Sequence, residues 1–429
     1  MREMKDSGIE WIGEIPVDWS MKRVKHIFTR KNEKAMQENP TILSLARDGV
    51  KVRDISNNEG QIAESYYNYN PVEEGDLLLN PMDLYSGANC SISKVQGVIS
   101  PAYINLKANA GVNPAFYDYY FKVQYWLMAF FSYGKGVSYD NRWTLSAETL
   151  MNYPVVALPY GEQCKRADYL DRKCSQIDAI IARQQEVIEK LKAYKLSIIT
   201  EAVTKGLNPN VSMKDSGVEW IGEIPDFWNV VPLKICSDIL PGYAFSSDDF
   251  DTENGTALLR GINVTPNGVR WEDVVYWNKP ITEQLREFEL VAGDIVVGLD
   301  RPWVSGGTRV CWVTQKDLPA LLLQRVCRIR AKENIDSRWI YHWIASKSFQ
   351  KALSIETTGV SVPHISTKQI GQFNITLPPI EVQRQICDIL EAKHYSIDKM
   401  VSKKQAIIDK LTEYKKSLIY EVVTGKKEV

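Results

Sequence analysis

The sequence predicts an α+β protein built as a tandem repeat, with two mixed α/β domains separated by two long helices. Three observations lead to this prediction. A short tryptophan-containing motif occurs twice, a helical segment with one apolar stripe occurs twice, and the segments between them hold short β-type runs broken by turn residues. The repeat therefore determines the organisation of the whole chain.

The first repeated element, called the tryptophan motif below, reads "MKDSGIEWIGEIPVDW" at residues 4–19 and "MKDSGVEWIGEIPDFW" at residues 213–228. Thirteen of its sixteen positions are identical in the two copies, which lie 209 residues apart. Its apolar residues surround a Gly-Glu turn, and no basic residue lies between Ser7 and Trp19. Phosphate binding needs basic groups, so the motif is a poor candidate for DNA contact. Its apolar residues and its position after the end of a helix predict instead that each copy joins one domain to the end of a long helix. The repeat then makes Met4 and Lys426 neighbours and the chain quasi-circular.

The second repeated element is a helix at residues 177–204 and 397–424, in which 13 of 28 positions are identical. Apolar residues recur at 3-4 spacing, neither copy contains Gly or Pro, and a glycine follows each copy. Matching stripes favour packing of the helices on each other as a coiled coil, although each could instead pack on its own domain. The predicted coiled-coil residues are Ile177, Ile181, Ile188, Leu191, Ile198, Ile397, Val401, Ile408, Leu411 and Leu418. Further apolar or aromatic residues of the same stripes are Ile180, Val187, Tyr194, Met400, Ile407 and Tyr414.

Length, charge and cysteine usage restrict the class of protein. A chain of 429 residues is expected to form two or more domains. The N-terminus is charged and the chain lacks a long apolar run, so we expect no signal peptide and no membrane span. Seven scattered cysteines without a CxxC pair fit a cytoplasmic protein. The net charge of −1 is unusual for a nucleic-acid-binding protein. Binding to DNA would therefore require basic groups gathered on one face, or a partner that contacts the phosphates.

The segments at about 20–157 and 229–377 are predicted to be two arms of the same fold with different surface loops. Each holds one aromatic, helix-like stretch among its β-type runs. Each also carries two landmarks that correspond between the arms. The first is a Gly-Asp turn followed by an apolar strand, "EEGDLLLN" (73–80) and "VAGDIVVG" (291–298), and the second is "GKGVSYDNRWT" (134–144) and "TTGVSVPHIST" (357–367).

With these motifs together, the chain resembles the specificity subunits of type I restriction–modification systems. The resemblance covers nearly the whole chain and rests on both tryptophan motifs, the Gly-Asp turns, "GVSVPHIST" with "ITLPPIEVQRQI", and the two helices. It implies two target recognition domains and an antiparallel coiled coil with pseudo-two-fold symmetry. The implied limits are target recognition domain 1 at 1–157, spacer helix 1 at 158–206, target recognition domain 2 at 207–377 and spacer helix 2 at 378–429.

The resemblance also implies the function. Each arm would read one half of an asymmetric, bipartite site in double-stranded DNA, and the coiled coil would set the distance between the halves. Two methyltransferase subunits would dock on the repeated framework, and a restriction/translocase subunit would join them. The chain itself would bind no cofactor, since S-adenosylmethionine, ATP and Mg²⁺ are expected on the partners. Four heptads would span roughly 40 Å, which is close to one turn of B-DNA.

The sequence predicts no catalytic or metal site. No GxxxxGK[ST] loop is present, and Leu377 precedes the prolines where an amino-methyltransferase would need Asn or Asp. The four histidines lack metal-type spacing. Two alternatives remain open: a protein-interaction scaffold with a coiled coil, and a self-contained restriction or modification enzyme.

Candidate DNA-binding residues are polar side chains in predicted turns, because Arg, Lys, Asn and Gln read base edges. Each candidate also has a structural interpretation: Arg260 could bridge two loops, Trp303 could cap the core and His364 could serve the turn. The candidates are Arg47, Lys51, Arg53, Tyr85, Ser86, Asn89, Lys135, Ser138, Tyr139, Asn141 and Arg142 in the first arm, and Arg260, Asn263, Arg301, Trp303, Ser305, Arg309, Ser361 and His364 in the second.

Overall fold

The chain forms two compact units, each of which contains one arm and part of both long helices. The computed structural model describes residues 2–55, 63–82, 84, 89–136, 143–266, 268–304, 307–354 and 363–429. One unit consists of residues 1–184 with 406–429, and the other of residues 185–405. Compactness therefore divides the chain inside the two long helices, whereas the predicted limits followed consecutive segments of the sequence.

The first arm is a mixed domain centred on a four-stranded antiparallel sheet. Its elements are β1 (Met4–Asp6), β2 (Glu14–Pro16), β3 (Ser20–Arg23), β4 (Phe28–Lys31), β5 (Leu43–Ala46), β6 (Gly49–Val52), β7 (Asn70–Val72), β8 (Leu77–Leu79), β9 (Cys90–Ile92), β10 (Gly97–Ile99), β11 (Ile104–Ala108), α1 (Pro114–Trp126), α2 (Ala147–Met151) and β12 (Pro154–Ala157). The sheet order is β4-β11-β8-β9. Helix α1 starts at a capping Asn113, whose side chain accepts the Ala115 N–H, and it buries Phe116, Tyr120 and Phe121 in the arm's core.

The first long helix leads into the second arm, and the second long helix follows that arm. The elements are α3 (Tyr160–Lys205), β13 (Met213–Asp215), β14 (Glu223–Pro225), β15 (Asn229–Pro232), α4 (Leu233–Cys236), β16 (Ser237–Pro241), β17 (Phe250–Asp251), β18 (Thr256–Leu259), β19 (Val264–Thr265), β20 (Gly268–Val269), β21 (Tyr276–Trp277), α5 (Glu283–Arg286), β22 (Ile295–Gly298), β23 (Trp303–Val304), β24 (Gly307–Thr308), β25 (Val310–Trp312), β26 (Ala320–Leu322), β27 (Val326–Ala331), α6 (Ser337–Ala345), α7 (Lys347–Ser354), α8 (Thr367–Gln372), β28 (Asn374–Leu377) and α9 (Ile380–Val423).

The two arms share one topology, which confirms the predicted fold. The central sheet of the second arm has the order β16-β27-β22-β25, and strand by strand it corresponds to β4-β11-β8-β9. In both arms the entry strand pairs with the strand before the long helix, β3 with β12 and β15 with β28. The surface elements differ. The first arm carries the β5–β6 hairpin, and the second carries an extra sheet of order β17-β21-β18-β26.

Within each unit, the segments of α3 and α9 pack on each other. In the first unit Arg166 of α3 contacts Val422 of α9, and Asp178 of α3 contacts Lys415 of α9. Residue numbers therefore rise along α3 where they fall along α9, so the two helices are antiparallel. The Lys415 Nζ is 2.7 Å from both oxygens of Asp178. In the second unit the Lys195 Nζ is 2.8 Å from both oxygens of Asp398, the same ion pair under the 220-residue offset of the repeat. Partly exposed pairs such as these stabilise little, and their equivalence chiefly shows a common register.

The predicted coiled-coil residues are buried or half-buried, but the stripe is narrower than the apolar pattern suggested. Ile177, Ile181, Leu411 and Leu418 pack in the first unit's core, and Leu191, Ile198, Ile397 and Val401 in the second unit's core, while Ile188 and Ile408 are also buried. Five further stripe members, Ile180, Tyr194, Met400, Ile407 and Tyr414, are exposed instead. Two helices in contact bury only about two positions per heptad, so the third apolar position of each heptad remains outside the seam.

The first tryptophan motif joins its arm to the end of α9, as predicted. Strands β1 and β2 form a hairpin, and Trp19 is fully buried in the core that contains Leu418 and Val422. A Cβ added to Gly425 would collide with the ring of Pro16. Arg166 donates to the carbonyl of Val422 at 2.7 Å and to that of Lys427 at 3.0 Å. Arg166 and Arg2 both pair with Glu162, so residues near the two chain ends meet at one partly buried ion cluster.

The second motif makes the equivalent junction at the end of α3. Trp228 is fully buried, and it lies 3.2 Å from the position of a Cβ on Gly206. Gly206 and Gly425 have φ values of +75° and +79°, the left-handed conformation in which helices commonly end and which glycine adopts without strain. Burial of such a large side chain contributes about 1.5–3 kcal/mol. Each motif is therefore a packing junction.

Candidate nucleic-acid interface

In each arm the loop after the Gly-Asp strand lies beside the segment that precedes the last short helix. In the first arm the Leu145 N–H donates to the Pro81 carbonyl at 2.8 Å, and Lys135 pairs with Thr144 through backbone hydrogen bonds of 2.9 and 3.0 Å. In the second arm the Ile365 N–H donates to the Leu299 carbonyl at 2.9 Å. These hydrogen bonds bring the described residues at or beside the two sequence landmarks together on one surface of each arm.

A buried aspartate holds the Gly-Asp turn that leads into this surface. Asp294 accepts the Val291 N–H at 2.8 Å and a two-pronged contact from Arg330, 2.7 Å from Nε and 2.8 Å from Nη2. In the first arm Asp76 accepts the Glu73 N–H and the ammonium of Lys31, both at 2.8 Å. A carboxylate with several donors is the stable way to bury such a charge. The Gly-Asp turn therefore fixes the start of the strand that leads into the loop.

The second arm gathers basic side chains around Asp300. Its Oδ2 accepts Arg325 Nη1 at 2.7 Å, its Oδ1 accepts His364 Nδ1 at 2.7 Å, and its carbonyl accepts Arg309 Nη1 at 3.0 Å. The hydrogen bond from Arg325, followed by that from His364, lowers the pKa of Asp300 below its usual value. Asp300 is consequently ionised at neutral pH and holds two cationic or hydrogen-bonding side chains at the surface.

The backbone segments of this cluster are joined by hydrogen bonds, and two of their residues have strained φ values. The Arg301 N–H donates to the Pro363 carbonyl at 2.8 Å, and the Leu299 N–H donates to the Arg325 carbonyl at 3.0 Å. Arg301 and Arg325 have φ values of +46° and +66°, which side chains other than glycine seldom adopt. Such conformations persist where the surroundings hold them and often occur at ligand sites.

Lys135 pairs with Thr144, while the other four described first-arm candidates lie on or beside two adjacent elements, the β5–β6 hairpin and β9. Arg47 lies in the turn between β5 and β6, Lys51 pairs with Asp48 on that hairpin, and the Arg53 N–H donates to the Ile42 carbonyl at 2.8 Å. Strand β6 runs beside β9, which follows Asn89. The hairpin candidates and Asn89 therefore belong to one side of the arm. Tyr85, Ser86, Ser138, Tyr139, Asn141 and Arg142 lie outside the described residues.

Several second-arm candidates hold loops together. Asn263 is fully buried, and its amide accepts the Arg260 N–H at 3.2 Å and donates to the Arg270 carbonyl at 2.8 Å. The Arg260 guanidinium reaches the Asp273 carbonyl, as its structural interpretation anticipated. Arg309 is half-buried, with Nε 3.2 Å from the Val264 carbonyl, and burial lowers its pKa.

Two second-arm candidates remain at the surface of the cluster, and a third packs on the core. The side chains of Arg301 and His364 are exposed, while Trp303 is half-buried against the apolar core of its unit. Ser305 and Ser361 lie outside the described residues. A role in DNA contact stays a prediction for every candidate, and exposure favours Arg301 and His364 over Asn263.

Sequence reasoning missed Asp300 and Arg325. The run "LLLQRVCRIRA" (321–331) has the composition of one β-type segment, but a turn at Gln324 and Arg325 separates β26 from β27 within it. No Gly or Pro marks this turn. The only signal was a polar pair between two apolar runs, which could have been interpreted as an exposed turn.

The described part of the chain contains no group of three or more His, Cys, Asp or Glu side chains placed to hold a metal ion. In the same part, none of the helices combines the length and the apolar character needed to cross a bilayer.

Comparison with known proteins gives one consistent family. The sequence model of the type I restriction modification DNA specificity domain matches residues 225–410. The MjaVIII specificity subunit of Methanocaldococcus jannaschii, a type I restriction enzyme subunit, is 28% identical over 427 residues, covering 96% of this chain and 93% of that protein. The EcoAI specificity subunit of Escherichia coli is 30% identical over 202 residues, covering 47% of this chain and 34% of that protein.

Solved structures show the same fold. A chain from a structural study of the assembly and conformational transition of the type I R-M system superposes with a TM-score of 0.69 at 14% identity, covering 96% of this chain and 99% of that chain. The HsdS subunit of Thermoanaerobacter tengcongensis superposes with a TM-score of 0.50 at 13% identity, covering 96% and 98%.

Proposed function

Because the specificity-domain model matches residues 225–410 and a type I specificity subunit is 28% identical over 96% of this chain, we propose that the chain is a type I restriction–modification specificity subunit that selects the DNA target of a multi-subunit enzyme. Each arm reads one half of an asymmetric, bipartite site, and the chain performs no catalysis of its own. The observation that carries this proposal is the contrast between a duplicated framework and two different surfaces. The central sheets, the junctions and the helix register are equivalent, while the loop elements above them differ.

The equivalent parts are those expected to contact a common partner. We propose that the framework of helices and tryptophan motifs binds two methyltransferase subunits, one on each copy, and that a restriction/translocase subunit joins them. S-adenosylmethionine, ATP and Mg²⁺ then belong to these partners. The net charge of −1 supports a division of labour in which partners supply much of the phosphate contact.

The test is to reconstitute the chain with its methyltransferase subunits, to bind the complex to random double-stranded DNA and to sequence the retained molecules. We expect a bipartite motif with a fixed gap. Replacing residues 20–157 with the corresponding arm of another specificity subunit should change one half of the motif and leave the other half intact. Replacing residues 229–377 is the matched control, and it should change only the other half.

Two results would contradict the proposal. Retained DNA without any enriched motif would favour a protein-interaction scaffold. Methyl transfer by the chain without partners would indicate a self-contained enzyme.

The spacer role gives a second prediction. Inserting seven residues after Glu186 and seven after Ala406, positions that are equivalent under the repeat, keeps the heptad pattern of both helices. Each helix then gains about 10 Å, so the gap in the retained motif should lengthen by about three base pairs with both halves unchanged.

The control for this change is an insertion of the same length after Pro209, in the connection that follows α3. It adds chain without lengthening either helix and should leave the gap as it was. A changed half-site, or an unchanged gap after the paired insertion, would show that the helices do not set the spacing.

A further inference from the structure

The second arm presents an arginine that is held in place by a carboxylate and exposed to solvent. Arg325 lies in the turn between β26 and β27, and its side chain is 72% exposed. Its Nη1 donates to Asp300 Oδ2 at 2.7 Å. The other oxygen of Asp300 is occupied by His364 Nδ1, also at 2.7 Å. Asp300 therefore binds two exposed side chains with its two oxygens and fixes their relative positions.

The remaining donors of Arg325 are directed to no protein acceptor in the described residues. Only Nη1 has a hydrogen-bond partner there, so the edge formed by Nε and Nη2 is available. This edge carries two N–H groups in one plane. Such a planar fork matches two adjacent acceptors on a ligand, as an ammonium cannot. In the major groove of DNA, guanine presents that pair of acceptors at O6 and N7.

The neighbouring carboxylate decides between a base edge and a phosphate. Hydrogen bonds from Arg325 and His364 lower the pKa of Asp300, so the carboxylate is charged at neutral pH. The carboxylate cancels much of the charge of Arg325, so it weakens the attraction of this arginine for a phosphate. A guanine edge is neutral and depends less on that charge. The same carboxylate reduces the rotamers open to Arg325, so less side-chain entropy is lost when the arginine binds.

The backbone supports the same assignment. Arg325 keeps a left-handed φ of +66° although it is not glycine, and its carbonyl accepts the Leu299 N–H at 3.0 Å. The loop that carries Asp300 is thereby tied to the turn that carries Arg325. The arginine and its carboxylate are thus set on two segments that are bonded to each other.

We propose that Arg325, positioned by Asp300, reads a guanine in the half-site recognised by the second arm. The proposal rests on the proposed function above and names one base contact within it. Asp300 is a positioning residue, and Arg325 is the residue that touches the base.

The test compares four single variants in the complex reconstituted with methyltransferase subunits. Arg325→Ala removes the fork, Arg325→Lys keeps the charge without the fork, and Asp300→Asn removes the positioning charge. Arg286→Ala removes another exposed guanidinium of the same arm, on α5, outside the cluster. For each variant the motif in retained DNA is determined, and affinity is measured for the wild-type site and for sites with single-base changes.

We expect both Arg325 variants to lose discrimination on the order of 10- to 100-fold at one guanine of the second-arm half-site. The first-arm half-site stays unchanged, which also shows that the complex is folded. Asp300→Asn should lower discrimination at the same base without weakening binding to other sequences, since a repelling charge has been removed. Arg286→Ala should keep the motif.

Other results would overturn the proposal. Arg325→Lys with full discrimination, or Arg325→Ala with an equal loss on every sequence, would indicate a phosphate contact. An unchanged motif for all three cluster variants would remove Arg325 from base recognition while leaving the proposed function intact. The absence of any bipartite motif with the unmodified chain would overturn the proposed function, and this inference with it.

Discussion

Replacing Asp294 with asparagine is expected to destabilise the second unit by about 3 kcal/mol. The side chain is 1% exposed and is the acceptor for the Val291 N–H and for both prongs of Arg330. An asparagine has one acceptor oxygen and one donor group, so it must turn a donor towards either Val291 or Arg330. It also removes the carboxylate that forms the ion pair with Arg330. Arg330 is partly exposed and can regain water, which keeps the loss near the lower end for buried pairs.

The consequence extends to the proposed DNA-binding surface because the Gly-Asp turn starts β22, whose end carries the loop with Asp300. Urea unfolding together with hydrogen exchange localises the loss to residues 185–405. Asp238→Asn is the matched control on the neighbouring strand β16, where the carboxylate is exposed and 4.0 Å from Lys332. It should change stability by no more than about 0.5 kcal/mol. Equal effects of the two substitutions would show that Asp294 does not hold the turn.

The architecture was predictable because it is repeated. Matching stripes in two copies of one helix predicted that the helices pack on each other, and residues such as Ile177 and Ile397 are buried as expected. The width of the seam was not predictable from periodicity. Tyr194 and Tyr414 satisfy the same spacing as the buried positions, yet both are exposed. Spacing shows that apolar residues share a face, but only the partner helix decides how much of that face is covered.

The polar surface was less predictable for a physical reason. Asn263 and Arg301 both occur in glycine-containing loops, and the sequence favoured the glycine-rich loop around Arg301 without excluding Asn263 as a DNA contact. In the structure Asn263 satisfies backbone groups of its own loop, whereas Arg301 is exposed. The path of the backbone decides which polar side chain forms hydrogen bonds within the loop and which remains exposed. Arg325 was not predicted as a surface residue because its turn has a left-handed backbone conformation without a glycine in the sequence to indicate it.

Lowering the pH from 7.5 to 5 is expected to destabilise the second unit well before the first. His342 is 2% exposed and lies beside His394, with ring centroids 5.5 Å apart. Neither ring nitrogen of His342 has a hydrogen-bond partner in the described residues. Burial lowers the pKa of His342 to about 3 and that of His394 to about 4. Arg338 and Lys195 nearby oppose protonation, and Asp336 and Asp398 only partly offset them.

The direction follows from proton linkage. In the unfolded chain both histidines titrate near their model value of 6.5, above their folded pKa values. Between about pH 6.5 and 4 the unfolded state therefore binds more protons, so stability falls as the pH falls. Each pH unit in this window costs at most about 1.4 kcal/mol for each histidine, and less for the partly exposed His394. In the first unit Glu162 has a pKa lowered to about 2, so its contribution is lost only below about pH 4.5.

The repeat supplies the matched variant. Tyr119 and Cys174 occupy the equivalent positions in the first unit, where Tyr119 donates to Asp171 at 2.7 Å. The double substitution His342→Tyr with His394→Cys should remove most of the difference between the thermal transitions of the second unit at pH 7.5 and pH 5. His26→Gln, at an exposed position in the first arm, should leave that difference unchanged. Calorimetry at both pH values, with hydrogen exchange to assign each transition to its unit, measures the effect. Since acid would act on the second arm through its contact with α9, an acid sensitivity that survives the double substitution would place its origin elsewhere.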